Sequence, residues 1–141
     1  MGQLVDRLRH HRRALVRLTT LVAWAHALMA ALHICGRVAP AVLPAHGLTQ
    51  PVALVDDRWW IGAHIVTAGV LVTAALRPGY RAGVAGASLS VAVWTVWSVL
   101  DLAWSIDTRP PVSLVAPALG LCVCAPLSAL TAAAWSEHDL P

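Results

Sequence analysis

Four long apolar segments constrain this chain more than any other feature of its sequence. They cover approximately residues 14–34, 59–76, 82–104 and 112–135. Each has about 18–24 residues, and a helix needs about 20 to cross the hydrocarbon core of a bilayer. Such spans have to be helical, because backbone polar groups in lipid must find partners within the segment. The sequence therefore predicts an all-α integral membrane protein, a single domain over residues 1–141 with four transmembrane helices in an antiparallel bundle.

Composition agrees with this prediction. Apolar residues make up 58% of the chain and charged residues 12%, whereas a soluble domain has about 25% charged residues. This balance argues against a cytosolic enzyme, a disordered tail and a nucleic-acid-binding module. The sequence contains no phosphate-binding loop, nucleotide motif or Ser/His/Asp set, so we expect a protein that is not an enzyme.

The positions of the basic residues predict the orientation in the membrane. All ten are arginines, a usage typical of high-GC genomes such as those of actinobacteria and their phages. Seven fall on the side of the N-terminus and three on the opposite side: Arg7, Arg9, Arg12, Arg13, Arg17, Arg77 and Arg81 against Arg37, Arg58 and Arg109. Because cytoplasmic loops carry the excess of positive charge, we expect both termini in the cytoplasm and the protein in the cell membrane.

The connection over residues 36–58 is long for a compact membrane protein. It is predicted to lie outside, and its length indicates local folding or a function of its own. A signal peptide cleaved near residues 39–41 is the competing interpretation of the first segment. That segment is long for a signal peptide and contains Trp24 and His26, which favours a retained membrane helix.

Small residues recur every four positions along the fourth segment. Such stripes let helix backbones approach closely in a membrane. Two interpretations are open, namely packing within the bundle and self-association between protomers. Pro117 and Pro126 are expected to kink this helix. The stripe consists of Ala116, Gly120, Cys124, Ser128 and Ala132.

Three histidines and one acidic residue fall inside the predicted spans: His26, His33, His64 and Asp101. Such residues are costly in lipid and are candidates for function. Counting from the segment ends places His33, His64 and Asp101 at one level in the outer leaflet. His26 is expected about 10 Å deeper, with no matching partner on another helix.

Three interpretations of this group compete. It is a structural polar cluster, a proton-responsive or cation-binding site, or a set of ligands for haem or a transition metal, in which case His33, His64 and Asp101 would be the ligands. Trp94 and Trp97 share a helical face with Asp101, an arrangement that can hold an organic cation. Four other tryptophans are expected to anchor the helices at the membrane interface: Trp59, Trp60, Trp104 and Trp135.

In size, number of spans, basic N-terminus and composition, the chain resembles small four-span membrane proteins of actinobacteria and their phages, including holin-like proteins. The resemblance implies a non-enzymatic protein that self-assembles or binds a membrane partner, with the small-residue stripe as the oligomerising face. A proton- or cation-coupled small transporter and a haem- or metal-binding membrane protein are the alternatives. Small multidrug transporters share the four-helix architecture, but their acidic residue lies in the first helix, which here carries His26. We predict no resident cofactor and no nucleic-acid partner.

Overall fold

The computed structural model describes residues 2–38, 56–77, 80–107 and 114–137, and all of the regular structure in these ranges is helical. Within these ranges, four helical stretches are long and apolar enough to cross a membrane, which confirms the prediction of four helices of spanning length. They are His10–Cys35, Arg58–Leu76, Arg81–Ile106 and Val115–Glu137. Most of the predicted outer loop lies outside the described residues. The elements are α1 (Gly2–Val38), α2 (Asp57–Leu76), α3 (Tyr80–Asp107), α4 (Val115–Leu119), a π-helical turn (Gly120–Cys124) and α5 (Ala125–Glu137).

The start of α2 follows from its sequence. Asp56 precedes the helix, and its carboxylate accepts a hydrogen bond of 2.9 Å from the backbone N–H of Arg58. Its carbonyl accepts a second bond of 2.9 Å from the N–H of Trp59. Acidic residues are favoured at this position because the first N–H groups of a helix have no partner within it.

The distribution of side chains differs from that in a soluble protein. Large apolar residues such as Leu28, Val66 and Leu130 are exposed, while the interior contains hydroxyl and imidazole groups. This arrangement suits a protein whose solvent is lipid, because lipid tails are as apolar as leucine and do not drive leucine inward. The buried polar residues are Thr19, His26, His33, His64, Thr67, Ser90, Ser98, Ser105, Ser128 and Thr131.

Several buried hydroxyl groups are satisfied by their own helix. Thr19, Thr67 and Thr131 each donate to the carbonyl four residues earlier, over 2.7–2.8 Å. Threonine is tolerated inside membrane helices because this local bond satisfies its donor.

The buried face of α2 repeats every seven residues. Trp60, Thr67 and Ala74 form one row of buried positions, and His64 and Leu71 form the other. A seven-residue repeat keeps one face of a helix directed at its neighbours over several turns. The same spacing on α1 places Thr19, His26 and His33 in one buried row.

The small-residue stripe of the fourth span packs inside this chain. Gly120 lies directly against the Ser98 side chain of α3, so that a methyl group there would overlap it. Ser128 is hydrogen-bonded to Ser90 of α3. Ala116 and Cys124 pack against a buried group of Trp60, Trp94, Trp97 and Ala125, and Ala132 is half-buried. Of the two interpretations of the stripe, these contacts support packing within the chain, because the small side chains let the fourth span approach α3 closely.

The two prolines of the fourth span have different surroundings. Pro117 lies in the first turn of α4, where its missing N–H costs no helical hydrogen bond. Pro126 follows the π-helical turn, in which the N–H of Ala125 donates to the carbonyl of Gly120, five residues earlier. This turn adds one residue to the helical path, and such turns occur where the regular hydrogen-bond ladder is interrupted.

Candidate functional site: a buried histidine pair

Two histidines from neighbouring helices meet in the interior. The Nδ1 atoms of His26 on α1 and His64 on α2 are 2.7 Å apart, and both side chains have no exposed surface. The expectation that His26 has no partner at its depth is therefore wrong. His64 lies between the levels of the two α1 histidines, with ring centroids 4.9 Å from His26 and 6.2 Å from His33.

The histidine pair is one end of a hydrogen-bonded chain that joins all four spans. The Nε2 atom of His26 lies 2.7 Å from the Oγ of Ser90 on α3. The Oγ of Ser90 in turn lies 2.7 Å from the Oγ of Ser128 on α5. Ser128 donates to the carbonyl of Cys124, also over 2.7 Å. We call His64, His26, Ser90 and Ser128 the polar chain.

The direction of each hydrogen bond in the polar chain follows from its last member. A carbonyl only accepts, so the single hydroxyl hydrogen of Ser128 is committed to Cys124. Ser128 therefore accepts from Ser90, and Ser90 accepts from the Nε2–H of His26. The Nδ1 of a neutral His26 is then an acceptor, so His64 donates from its Nδ1.

This ordering fixes the neutral state of His64. With its hydrogen on Nδ1, the Nε2 atom carries a lone pair. That nitrogen is buried and has no hydrogen-bond partner among the described residues. It is the one position on the two imidazoles where a further proton can be added without breaking a bond of the polar chain.

Aromatic rings enclose the pair. The centroid of Trp94 lies 5.0 Å from that of His26 and 5.2 Å from that of His64. Trp97 contacts Trp94 edge-on at 6.0 Å. Trp60, Trp94, Trp97 and Ala125 form one buried group, which we call the tryptophan cluster.

Asp101 is not part of the contacts around the pair. It is half-buried on α3, seven residues beyond Trp94, which corresponds to about 10 Å along the helix. Among the described residues, the hydrogen bonds and ring contacts of His26 and His64 involve each other, His33, Ser90 and Trp94. Trp94 thus faces imidazoles, and not the carboxylate around which a cation cage was expected.

The predicted ligand set of His33, His64 and Asp101 is not assembled either. Within the described ranges, no three His, Cys, Asp or Glu residues are placed to hold a metal ion together. Bonds of about 2.05 Å to a tetrahedral zinc ion would hold two imidazole nitrogens about 3.3 Å apart. The 2.7 Å between His26 and His64 is the length of a hydrogen bond.

Sequence reasoning did not identify the hydroxyl members of the site or two of its tryptophans. The sequence predicts a packing role for Ser128 in the small-residue stripe, but both Ser128 and Ser90 are buried members of the polar chain. Trp60 and Trp135 were expected as interface anchors, but both are buried, and Trp135 donates to Thr19 over 3.0 Å. Trp59 is 74% exposed, as an anchor in lipid would be. No family model, curated protein or solved structure matches the chain.

Proposed function

We propose that this chain is a four-span protein of the cell membrane in which the His26–His64 pair takes up and releases a proton. This uptake and release is coupled to the movement of a small ion, or of protons alone, across the membrane. The observation that carries the proposal is the polar chain, which leaves one buried lone pair, on the Nε2 of His64. Ionisable residues within membrane spans are rare and mark ion pathways and proton relays.

The proposed architecture is an antiparallel bundle with both termini in the cytoplasm. Pairs of contacting residues on α3 and the fourth span support it, because the number on one helix falls as the other rises. Gly83 meets Trp135 and Gly120 meets Ser98, while Ser90 bonds Ser128. On α1 and α2, His26 pairs with His64, and Val22 and Leu71 share a cluster.

Protonation of this pair has consequences for packing. A proton added to His64 places a positive charge in a region of low dielectric, where an unpaired charge is costly. The titratable groups that contact His64 are His26 and His33 on α1. Against the pair, α3 contributes Ser90 and Trp94. No carboxylate contacts either imidazole within the described ranges. The protonated pair therefore requires stabilisation by a rearrangement of its surroundings or by a bound counter-ion.

The packing of the fourth span removes the main argument for self-assembly as the proposed role. The holin-like interpretation depended on the small-residue stripe as an oligomerising face. Gly120 and Ser128 instead contact α3 of the same chain. Self-association, a membrane-protein partner and haem or metal binding receive no comparable support from contacts at the site.

Proton flux into liposomes tests the proposal. The purified chain is reconstituted with a pH-sensitive dye inside, and the rate of acidification is measured after an external pH step. His64→Gln keeps a side chain of similar length but removes the titrating nitrogen. We expect it to slow the flux by about tenfold or more, the effect of about 1.4 kcal/mol on a rate.

The exposed His11 provides the matched control, because His11→Gln changes a histidine outside the interior. We expect this variant to keep the flux of the unaltered chain. Equal flux in His64→Gln and the unaltered chain would contradict the proposal. Release of a large trapped dye by both proteins would indicate a holin-like pore instead.

A further inference from the structure

Beside the polar chain, three buried ring nitrogens have no hydrogen-bond partner among the described residues. They are the Nε2 of His64 and the Nε1 atoms of Trp60 and Trp94. Their side chains are 0%, 7% and 4% exposed. Nearly all buried polar groups of proteins are hydrogen-bonded, and the penalty for leaving one without a partner is largest in lipid. Three such atoms in one region indicate a ligand that forms hydrogen bonds with them.

The three rings belong to one part of the interior. Trp94 contacts His64 edge-on, with centroids 5.2 Å apart. Trp60 belongs with Trp94 to the tryptophan cluster. It also precedes His64 by four residues on α2, so the two side chains lie on one face of that helix.

The hydrogen-bonding properties of the three ring nitrogens determine what kind of ligand they can bind. An indole N–H only donates, so Trp60 and Trp94 require an acceptor. The Nε2 of His64 becomes a donor when it is protonated, and the site then offers three N–H groups and one positive charge. A cation would meet hydrogens and a like charge, whereas an anion would meet three donors.

We propose that this site binds a small inorganic anion, such as chloride or nitrate, together with the proton taken up by His64. The inference rests on the proposed function and names its substrate class. The proton forms an N–H bond at Nε2 and the anion is held by hydrogen bonds, so that no other bond is made or broken. The bound pair is neutral overall, which removes the cost of an unpaired charge in the interior.

Binding of the two species is coupled. The proton raises the affinity for the anion, and by thermodynamic reciprocity the anion raises the affinity for the proton by the same factor. The site is therefore expected to bind an anion at low pH and to release it when His64 loses its proton.

Calorimetric titration of the full chain in detergent tests this inference. Chloride and nitrate are titrated separately at about pH 5 and pH 8, on either side of the usual range of histidine titration. We expect saturable binding at the lower pH that is at least about tenfold weaker at the higher pH, equivalent to about 1.4 kcal/mol. No saturable binding at either pH, or equal binding at both, would overturn the inference.

Substitutions at the tryptophans assign the binding to this site. Trp60→Phe and Trp94→Phe each remove an N–H but keep an aromatic ring, and both are expected to weaken binding several-fold. Trp59→Phe is the matched control, because Trp59 is the neighbouring residue and is 74% exposed. Unchanged affinity in both the Trp60→Phe and Trp94→Phe variants would overturn the assignment.

The liposome assay separates failure of this inference from failure of the proposed function. Flux is measured with chloride or nitrate and again with gluconate, which is too large for a site between packed helices. Proton flux that is equal in all three anions contradicts anion coupling but keeps the proton-coupled role. If no flux occurs in any anion, the proposed function fails, and the calorimetric titration alone decides whether the anion site exists.

Discussion

At the scale of single residues, Ser90 occupies a central position in the polar chain. Its hydroxyl joins the imidazole of His26 to the hydroxyl of Ser128, with both contacts at 2.7 Å. Its oxygen therefore links α1, α3 and the fourth span, while α2 is connected to it through His64 and His26. A serine in this position does more than allow close packing, which is the role its small size alone predicts.

Ser90→Ala is expected to destabilise the protein by removing both hydrogen bonds. Interhelical hydrogen bonds in membranes contribute about 0.6 kcal/mol on average and up to about 1.7. We expect a loss of about 1–2 kcal/mol in the free energy of unfolding, measured as a lower midpoint of thermal unfolding in detergent.

Ser88→Ala is the control, because Ser88 is exposed on the same helix and its hydroxyl contributes nothing to the interior. Its midpoint should equal that of the unaltered chain. If Ser90→Ala unfolds at the same temperature as Ser88→Ala, the polar chain does not contribute to stability.

At the scale of the helices, glycines differ in how close a neighbouring helix lies. A methyl group on Gly120 would overlap the side chain of Ser98 on α3, whereas one on Gly69 of α2 meets nothing within 4 Å. Gly120 therefore allows close packing against α3, whereas Gly69 has no such role, although the two helices have similar compositions.

Gly120→Ala is expected to lower the free energy of unfolding by about 1–3 kcal/mol, the usual cost of overpacking a well-filled interior. Gly69→Ala should instead raise it by about 0.5–1 kcal/mol, because alanine loses less conformational freedom in a helix. Thermal unfolding in detergent measures both changes. A Gly120→Ala variant as stable as Gly69→Ala would contradict tight packing of the fourth span against α3 at this point.

At the scale of the whole molecule, the proposed orientation makes a prediction about Cys35. This residue is exposed near the C-terminal end of α1, which lies outside if the N-terminus is in the cytoplasm. A membrane-impermeant maleimide added to intact cells is expected to label the unaltered chain and not Cys35→Ser. Cys122 and Cys124 lie near the middle of the fourth span, where lipid excludes the reagent. Labelling that appears only after the cells are opened would show that the orientation is opposite to the proposed one.

The sequence was sufficient to predict four helices of membrane-spanning length, because an apolar segment of about 20 residues in lipid has few other conformations. It was also sufficient to select His26, His33 and His64 as unusual residues. It did not predict which histidines meet. Each residue of uncertainty at a segment end moves a side chain by about 1.5 Å along its axis, so an error of a few residues changes the partner.

The same limit applies to the faces of the helices. Periodicity placed Asp101 with Trp94 and Trp97 on one face of α3, but a shared face does not require contact with the same neighbours. Trp94 contacts His26 and His64, while Asp101 lies about 10 Å further along. The sequence did not predict the hydrogen bonds of Ser90 and Ser128. A small residue on a packing face has the same sequence pattern whether or not its hydroxyl bonds to another helix.

The π-helical turn at Gly120–Cys124 affects how this chain is aligned with others. Removing one residue from an α-helix rotates everything beyond it by about 100°, which would turn a buried face toward lipid. A π-helical turn already contains one residue more than the α-helical path requires. Homologous chains are therefore free to differ in length by one residue at this turn while Gly120 and Ser128 keep their places against α3. For a homologue that lacks this extra residue, an alignment that forbids gaps within helices would mispair every position from there to Glu137.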